Sequence, residues 1–169
     1  MTRMIFRGKA IKLGDNISTD HIIPGRFAYL RSNLPELAKH VLEDTLPDFN
    51  SIAKDGDILV GGNNFGLGSS REHAPVVIKM AGISVILVKS VARIFFRNAI
   101  NQGMPVLFCD TDQITDGDEL EIDLAEGSVT NINDGTVLTT SKMPSLMSTI
   151  VNEGGLMPYI KKYHDFILE

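Results

Sequence analysis

Short apolar runs separated by amphipathic stretches predict an α/β protein. Most of the runs consist of Val, Ile and Leu and have the length of buried strands, and the stretches between them place apolar residues at helical spacing. The predicted strands are 4–12, 57–60, 84–88 and 106–109, and the predicted helices are 34–46, 74–81 and 91–101. Alternation of this kind is typical of a sheet covered by helices.

The last third of the chain changes to a strict alternation of polar and apolar residues. Residues 119–124, Glu-Leu-Glu-Ile-Asp-Leu, predict a half-exposed strand. The further predicted elements are strands 129–132 and 136–140 and helices 146–152 and 159–166. Asp134 and Gly135 between the two strands favour a hairpin, which adds antiparallel pairing to the sheet. We expect a mixed sheet in one domain that spans residues 1–169.

A glycine-rich segment at residues 61–75 is the strongest candidate for chemistry. It reads Gly-Gly-Asn-Asn-Phe-Gly-Leu-Gly-Ser-Ser-Arg-Glu-His-Ala-Pro and lies between a predicted strand and a predicted helix that starts near Ser69 or Ser70. Free amides at a helix start favour a carboxylate or phosphate. The segment lacks the Gly-Lys-Ser/Thr of a P-loop and the Gly-x-Gly-x-x-Gly of dinucleotide sites. The alternative is a bulged turn closed by a capping serine, for which Ser70 is the better candidate.

Charge and composition narrow the class of partner. The net charge of −5 leaves no basic face for nucleic acid or for an anionic membrane, so an anionic substrate must be held by local arginines and backbone dipoles. Residues 1–12 contain no uninterrupted apolar core, so no signal peptide is indicated, and no transmembrane run is present. These observations favour a cytoplasmic location.

The single cysteine excludes an iron-sulfur cluster held by this chain alone. Such a cluster needs several thiolates, whereas Cys109 stands by itself after the apolar run 106–108. We expect Cys109 to be a buried thiol at the end of a strand, and we expect no metal site in this chain.

Three ordered blocks of sequence resemble one known family. They are residues 14–26, the Gly-Ser-Ser-Arg at 68–71, and residues 92–103. Together they resemble the signatures of the aconitase superfamily, in particular its separate small subunits of the isopropylmalate dehydratase type. The blocks cover nearly the first two thirds of the chain, and the last third carries little signature.

The resemblance implies a fold, an activity and a partner. The implied fold is a swivelling three-layer β/β/α domain. The implied activity is that of a hydro-lyase, which isomerises a small hydroxy-dicarboxylate by dehydration and rehydration. The implied partner is a larger subunit that carries a 4Fe-4S cluster, in a heterodimer or heterotetramer, so that no cofactor is bound by this chain.

The resemblance also assigns roles within the glycine-rich segment. Ser69 matches the catalytic serine, whose alkoxide takes a proton from carbon, and Arg71 is expected to bind a substrate carboxylate in a bidentate way. Gly68 and Ser70 are further candidates for substrate binding. Glu72 is either a first-turn helix acid or a residue that orients an arginine.

Further residues are expected to support the base or to determine substrate specificity. His73 is either a packing residue or part of the site, and Asp20 and His21 form a possible relay in which the aspartate orients the imidazole. Leu30 and Arg31 lie in the stretch that matches the specificity loop, where Leu30 suits an apolar pocket and Arg31 suits a distal carboxylate. The alternative is that Arg31 points to solvent or to a carboxylate of the partner.

Several substrates are open at this stage. 3-Isopropylmalate, in leucine biosynthesis, is the preferred substrate. The alternatives are the substrates of related enzymes, namely homoaconitase and 2-methylmalate or 2,3-dimethylmalate dehydratase. An alternative of another class is a stand-alone module that binds small anions and catalyses nothing.

Overall fold

A mixed seven-stranded sheet organises the computed structural model, which describes residues 4–164. The strand order is β4-β3-β2-β1-β5-β6-β7. The strands are β1 (Ile5–Lys12), β2 (Ile58–Val60), β3 (Val85–Val88), β4 (Val106–Phe108), β5 (Glu119–Asp123), β6 (Ser128–Asn131) and β7 (Val137–Thr139). Each predicted strand is present, and the predicted α/β class with a mixed sheet is confirmed.

Strand β1 joins a parallel half of the sheet to an antiparallel half. Its last residues pair in parallel with β2, with Ala10 opposite Ile58, and its first residues pair antiparallel with β5, with Phe6 opposite Ile122. Strands β2, β3 and β4 continue in parallel, whereas β5, β6 and β7 continue antiparallel. The hairpin predicted at Asp134 is the connection between β6 and β7.

The two faces of the parallel half pack against different layers, because successive residues of a strand point to opposite sides. On one face, Leu59 and Ile86 belong to a core that includes residues of the helices, such as Val77 and Phe95. The other face packs against the antiparallel half in a second core formed by Ala10, Ile58, Val60, Val85, Leu87, Leu107, Ile114, Leu120, Ile122, Leu124 and Val129. The sheet therefore curls over itself and gives the three layers β/β/α.

Seven α-helices are found in residues 4–164, most of them short. They are α1 (Thr19–Ile22), α2 (Leu34–Ala38), α3 (Phe49–Ile52), α4 (His73–Met80), α5 (Arg93–Asn101), α6 (Ser145–Asn152) and α7 (Leu156–Tyr163), and a 3₁₀ helix spans Gly25–Ser32. No helix of this described part combines the length and apolarity needed to cross a membrane.

Two predicted helices have different bounds in the structure. The helix predicted at 34–46 ends at Ala38, because Leu42 adopts a positive φ of 58° and donates its N–H to the carbonyl of Ile22 over 3.0 Å. Burial of the Leu42 side chain against the core therefore overrides helical continuity. The last helix covers Leu156–Tyr163 instead of 159–166, and the end of the prediction lies outside the described residues.

Candidate active site

Three loops meet at the carboxyl ends of the neighbouring strands β1, β2 and β3. The amide of Gly62 donates to the carbonyl of Gly14 over 3.2 Å, and the amide of Lys89 donates to the carbonyl of Gly62 over 3.0 Å. The amide of Gly66 donates to the carbonyl of Ile17 over 2.6 Å. These bonds bring together the first two blocks of the sequence and the segment that leads into the third.

The glycine-rich segment stays a loop for longer than predicted. Helix α4 begins at His73, so Ser69 and Ser70 lie in exposed loop and the prediction that either serine starts or caps the helix is wrong. Gly66 and Gly68 have φ values of 75° and 106°, a region that favours glycine, and they turn the chain before the helix starts. The amides near Ser69 are therefore loop amides.

Ser69 is held by its main chain and exposes its side chain. The buried hydroxyl of Thr19 donates to the carbonyl of Ser69 over 3.1 Å, and the amide of Arg71 donates to the same carbonyl over 2.8 Å. The two hydroxyl oxygens, Thr19 Oγ1 and Ser69 Oγ, are 3.4 Å apart. The backbone of the serine is thereby fixed while its hydroxyl faces a cleft.

Arg71 is anchored on two sides and is half-buried. Its Nη1 donates to the carbonyl of Ile23 over 2.8 Å, and its Nη2 lies 2.6 Å from Oδ1 of Asp20. A planar guanidinium has five N–H donors, so these two bonds leave donors for a substrate. Asp20 therefore orients an arginine.

The predicted relay between Asp20 and His21 is not formed. The Nδ1 of His21 accepts the amide N–H of Ser18 over 2.9 Å, and the amide of His21 donates to the Ser18 hydroxyl over 3.1 Å. This reciprocal capping box fixes the start of α1, so His21 shapes the turn that carries Thr19 and Asp20.

A cleft of about 230 Å³ collects most of the predicted substrate-binding residues. It is lined by Thr19, Gly66, Gly68, Ser69, Ser70, Arg71, Ala92, Arg93, Ile94, Phe95 and Asn98. The four consecutive residues Gly68 to Arg71 are thus all at one site, and helix α5 forms the opposite wall.

Arg93 and Asn98 of α5 are cleft residues that the sequence analysis missed. Both belong to the block 92–103, where the resemblance assigns no role to any side chain. Within residues 4–164 the exposed Arg93 has neither an ion pair nor a hydrogen bond from its side chain. The cleft therefore contains a second guanidinium that is available to an anion.

A second cleft of about 260 Å³ shares Arg71 with the first. Its lining consists of Ile23, Ala28, Arg31, Leu37, Arg71 and His73. Arg31 and His73 therefore line the same cleft. Leu30 does not join them, because it packs half-buried against the helical core. His21 and Glu72 line neither cleft, and Glu72 makes no capping bond.

The residues of this chain do not fit an iron-sulfur cluster. In the described range no three His, Cys, Asp or Glu side chains are grouped so that they could hold a metal ion. Cys109 follows β4 and is half-buried, not fully buried as expected. This burial, together with the charge of Asp110, raises the pKa of its thiol from 9.0 to about 11. A thiol that keeps its proton at neutral pH is a poor nucleophile and metal ligand.

Comparisons with known proteins show what this chain is similar to. The sequence model of the aconitase C-terminal domain family matches residues 14–110. The "3-isopropylmalate dehydratase small subunit 2" of Archaeoglobus fulgidus is 57% identical over 94% of this chain and 96% of that protein. The "3-isopropylmalate dehydratase small subunit 1" of Thermotoga maritima is 53% identical over 96% and 98%.

Two proteins of Methanocaldococcus jannaschii extend the comparison. The "isopropylmalate/citramalate isomerase small subunit" is 49% identical over 95% of this chain and 96% of that protein. A crystal structure of 3-isopropylmalate dehydratase superposes with a TM-score of 0.90 at 43% identity, covering 95% of this chain and 96% of that one. On its sequence, its fold and the match over residues 14–110, the chain belongs to the aconitase C-terminal domain family.

Proposed function

We propose that this chain is the small subunit of a hydro-lyase that isomerises a hydroxy-dicarboxylate, with 3-isopropylmalate as the first candidate. The observation that carries the proposal is the placement of the exposed Ser69 hydroxyl and the Arg71 guanidinium in one cleft. The names of relatives at 57% and 53% identity support the substrate class.

The chemistry needs a base and cations, and residues of the cleft are our candidates for both. Ser69, as the alkoxide, takes the proton from the carbon next to a carboxylate, and the resulting hydroxyl returns it in the reverse step. Negative charge that develops on that carboxylate is stabilised by fixed cations more strongly than by water. Arg71 and Arg93 supply two such cations around the same cleft.

The proposal includes a partner and a location. Since this chain lacks the thiolates for a cluster, we propose that a larger subunit carries the 4Fe-4S group and closes the cleft, in a heterodimer or heterotetramer. We place the assembly in the cytoplasm.

The second cleft is our candidate for substrate choice. Ile23, Ala28 and Leu37 give it an apolar wall, which suits the branched side chain of isopropylmalate. Arg31 at the same cleft suits the extra carboxylate of a homoaconitase substrate. The name of the relative from M. jannaschii favours a second candidate, 2-methylmalate (citramalate), whose small methyl group the same wall accommodates.

The test is turnover by the chain after anaerobic co-purification with the large subunit encoded beside it. 3-Isopropylmalate, 2-methylmalate, 2,3-dimethylmalate and homocitrate are compared by the absorbance of the unsaturated acid. Ser69→Ala should reduce kcat by about 10²–10⁴-fold, the usual effect of removing a general base. Its melting temperature should be unchanged, because Ser69 is exposed and caps no helix.

Ser51→Ala is the matched control, since Ser51 is an exposed serine on α3. It should keep full activity. If Ser69→Ala retains turnover, the base is another group. If a complex does not form and no acid is turned over, the hydro-lyase proposal fails and the stand-alone anion-binding module becomes the better account.

A further inference from the structure

Thr19 is a buried hydroxyl beside the reacting oxygen of the proposed base. Its side chain is 2% exposed, and its Oγ1 is 3.4 Å from Ser69 Oγ. In residues 4–164 no other side chain forms a hydrogen bond with that oxygen. Among the described residues, Thr19 is therefore the side chain placed to support the Ser69 hydroxyl.

The position of Thr19 is fixed independently of Ser69. Its amide donates to the carbonyl of Leu67 over 2.8 Å, at the start of α1. Gly68 passes directly over the hydroxyl, since a Cβ at Gly68 would lie 3.2 Å from Thr19 Oγ1. The absence of a side chain at Gly68 thus lets the loop approach Thr19 closely.

The single hydroxyl proton of Thr19 has two possible acceptors. In the resting chain it is donated to the Ser69 carbonyl over 3.1 Å, and the amide of Arg71 donates to that carbonyl as well. A hydroxyl hydrogen rotates freely about its C–O bond. The proton can therefore turn from the carbonyl to Ser69 Oγ without leaving that carbonyl unpaired.

We infer that Thr19 is a positioning residue for Ser69, which donates a hydrogen bond to the Ser69 oxygen when that oxygen is ionised. The inference rests on the proposed function. Thr19 keeps its own proton throughout, and the proton removed from substrate carbon goes to Ser69 Oγ. A hydrogen bond to an ionised oxygen is roughly twice as strong as one to a neutral oxygen, so the contact favours the alkoxide. The 3.4 Å separation is expected to shorten in the assembled site.

Two substitutions at Thr19 test this in the assembled enzyme. Thr19→Val removes the hydroxyl and should lower kcat by about 10²-fold, the usual loss for one oxyanion donor, with KM little changed. The limb of its pH-rate profile on which activity rises with pH should move to higher pH, because the Ser69 alkoxide loses a donor. Thr19→Ser restores the hydroxyl and should recover both kcat and the profile.

Thr111→Val is the matched control. Thr111 is also buried, at 1% exposure, and its hydroxyl donates to the carbonyl of Gly61 at the start of the same loop over 2.8 Å. It lines neither cleft. A purely structural role for Thr19 predicts equal losses of stability and equal activities for the two Val variants, and that result would overturn the inference. An activity of Thr19→Ser as low as that of Thr19→Val would overturn the inference too.

Hydrogen exchange on the isolated chain provides a readout that needs no partner. Thr19→Val should accelerate exchange of the Arg71 amide, because the loop loses the hydroxyl bond that ties the Ser69 carbonyl to α1, and Thr111→Val should not. Unchanged exchange in Thr19→Val would overturn the positioning role. If the wild-type complex turns over no hydroxy acid, the proposed function fails, and this exchange difference still decides whether Thr19 positions Ser69.

Discussion

Gly66→Ala is the substitution whose cost the structure defines most sharply. Gly66 is buried with a φ of 75°, and a Cβ at this position would lie 2.3 Å from Cγ of Phe95. Phe95 has nowhere to move, because it is 3% exposed and packs edge-on against the ring of Phe65 at 5.3 Å. The added methyl group must therefore displace helix α5 or the loop.

Two penalties add up. A non-glycine residue in the left-handed region costs about 1–2 kcal/mol. Overpacking a rigid core costs about 1–3 kcal/mol more. The expected loss is therefore about 2–5 kcal/mol of unfolding free energy.

Gly135→Ala is the control that separates the two penalties. Gly135 has a similar φ of 78°, and a Cβ there would meet no atom within 4 Å. It should lose only the backbone strain, about 1–2 kcal/mol. Urea denaturation of both variants measures the difference. Equal losses in Gly66→Ala and Gly135→Ala would refute the argument that contact with Phe95 dictates glycine at position 66.

Three further predictions concern Cys109 and Arg31. Burial raises the pKa of the Cys109 thiol from 9.0 to about 11. Iodoacetamide should therefore alkylate the native chain at pH 8 about a hundredfold more slowly than the urea-unfolded chain. Equal rates would contradict the burial. The same shift in pKa means that the thiol's contribution to stability is complete below pH 9 and is lost as the pH rises to about 11. Urea titrations of the wild type should therefore show a decline in the free energy of unfolding over this pH range, and Cys109→Ala should lack it. Arg31→Leu should leave the KM for 3-isopropylmalate nearly unchanged, because the apolar wall receives the side chain of that substrate. It should raise the KM for homocitrate at least about tenfold. The reverse order would assign Arg31 to the binding of 3-isopropylmalate.

The strands were predictable because their signal is local. The runs 57–60 and 84–88 agree to within one residue with β2 and β3, since a strand buried on both faces consists of consecutive apolar residues. The helix predicted through residue 46 was wrong beyond Ala38, because the contact that stops it, from Leu42 to Ile22, joins distant parts of the chain.

The site residues also divide into those that a local sequence signal indicates and those that only distant contacts bring together. Gly68 to Arg71 are adjacent in sequence, and the structure places them together at one cleft. The contact of Thr19 with Ser69 bridges 50 residues, and nothing local in either segment indicates it. Arg93 lies in the block 92–103, but whether it lines the cleft depends on how α5 packs. The sequence pattern does not specify this packing.

The double pairing of β1 has a consequence for the chain during synthesis. One edge of β1 is covered when β2 is made, but the other edge waits for β5, whose partner of Ile5 is Asp123. Until the ribosome has released residue 123, the nascent chain presents an unpaired strand edge together with the apolar face that β5 and β6 later cover. Exposed edges of this kind recruit other strands. Production of the first two thirds alone should therefore yield aggregates, because the last third supplies the strands that cover this edge and this apolar face.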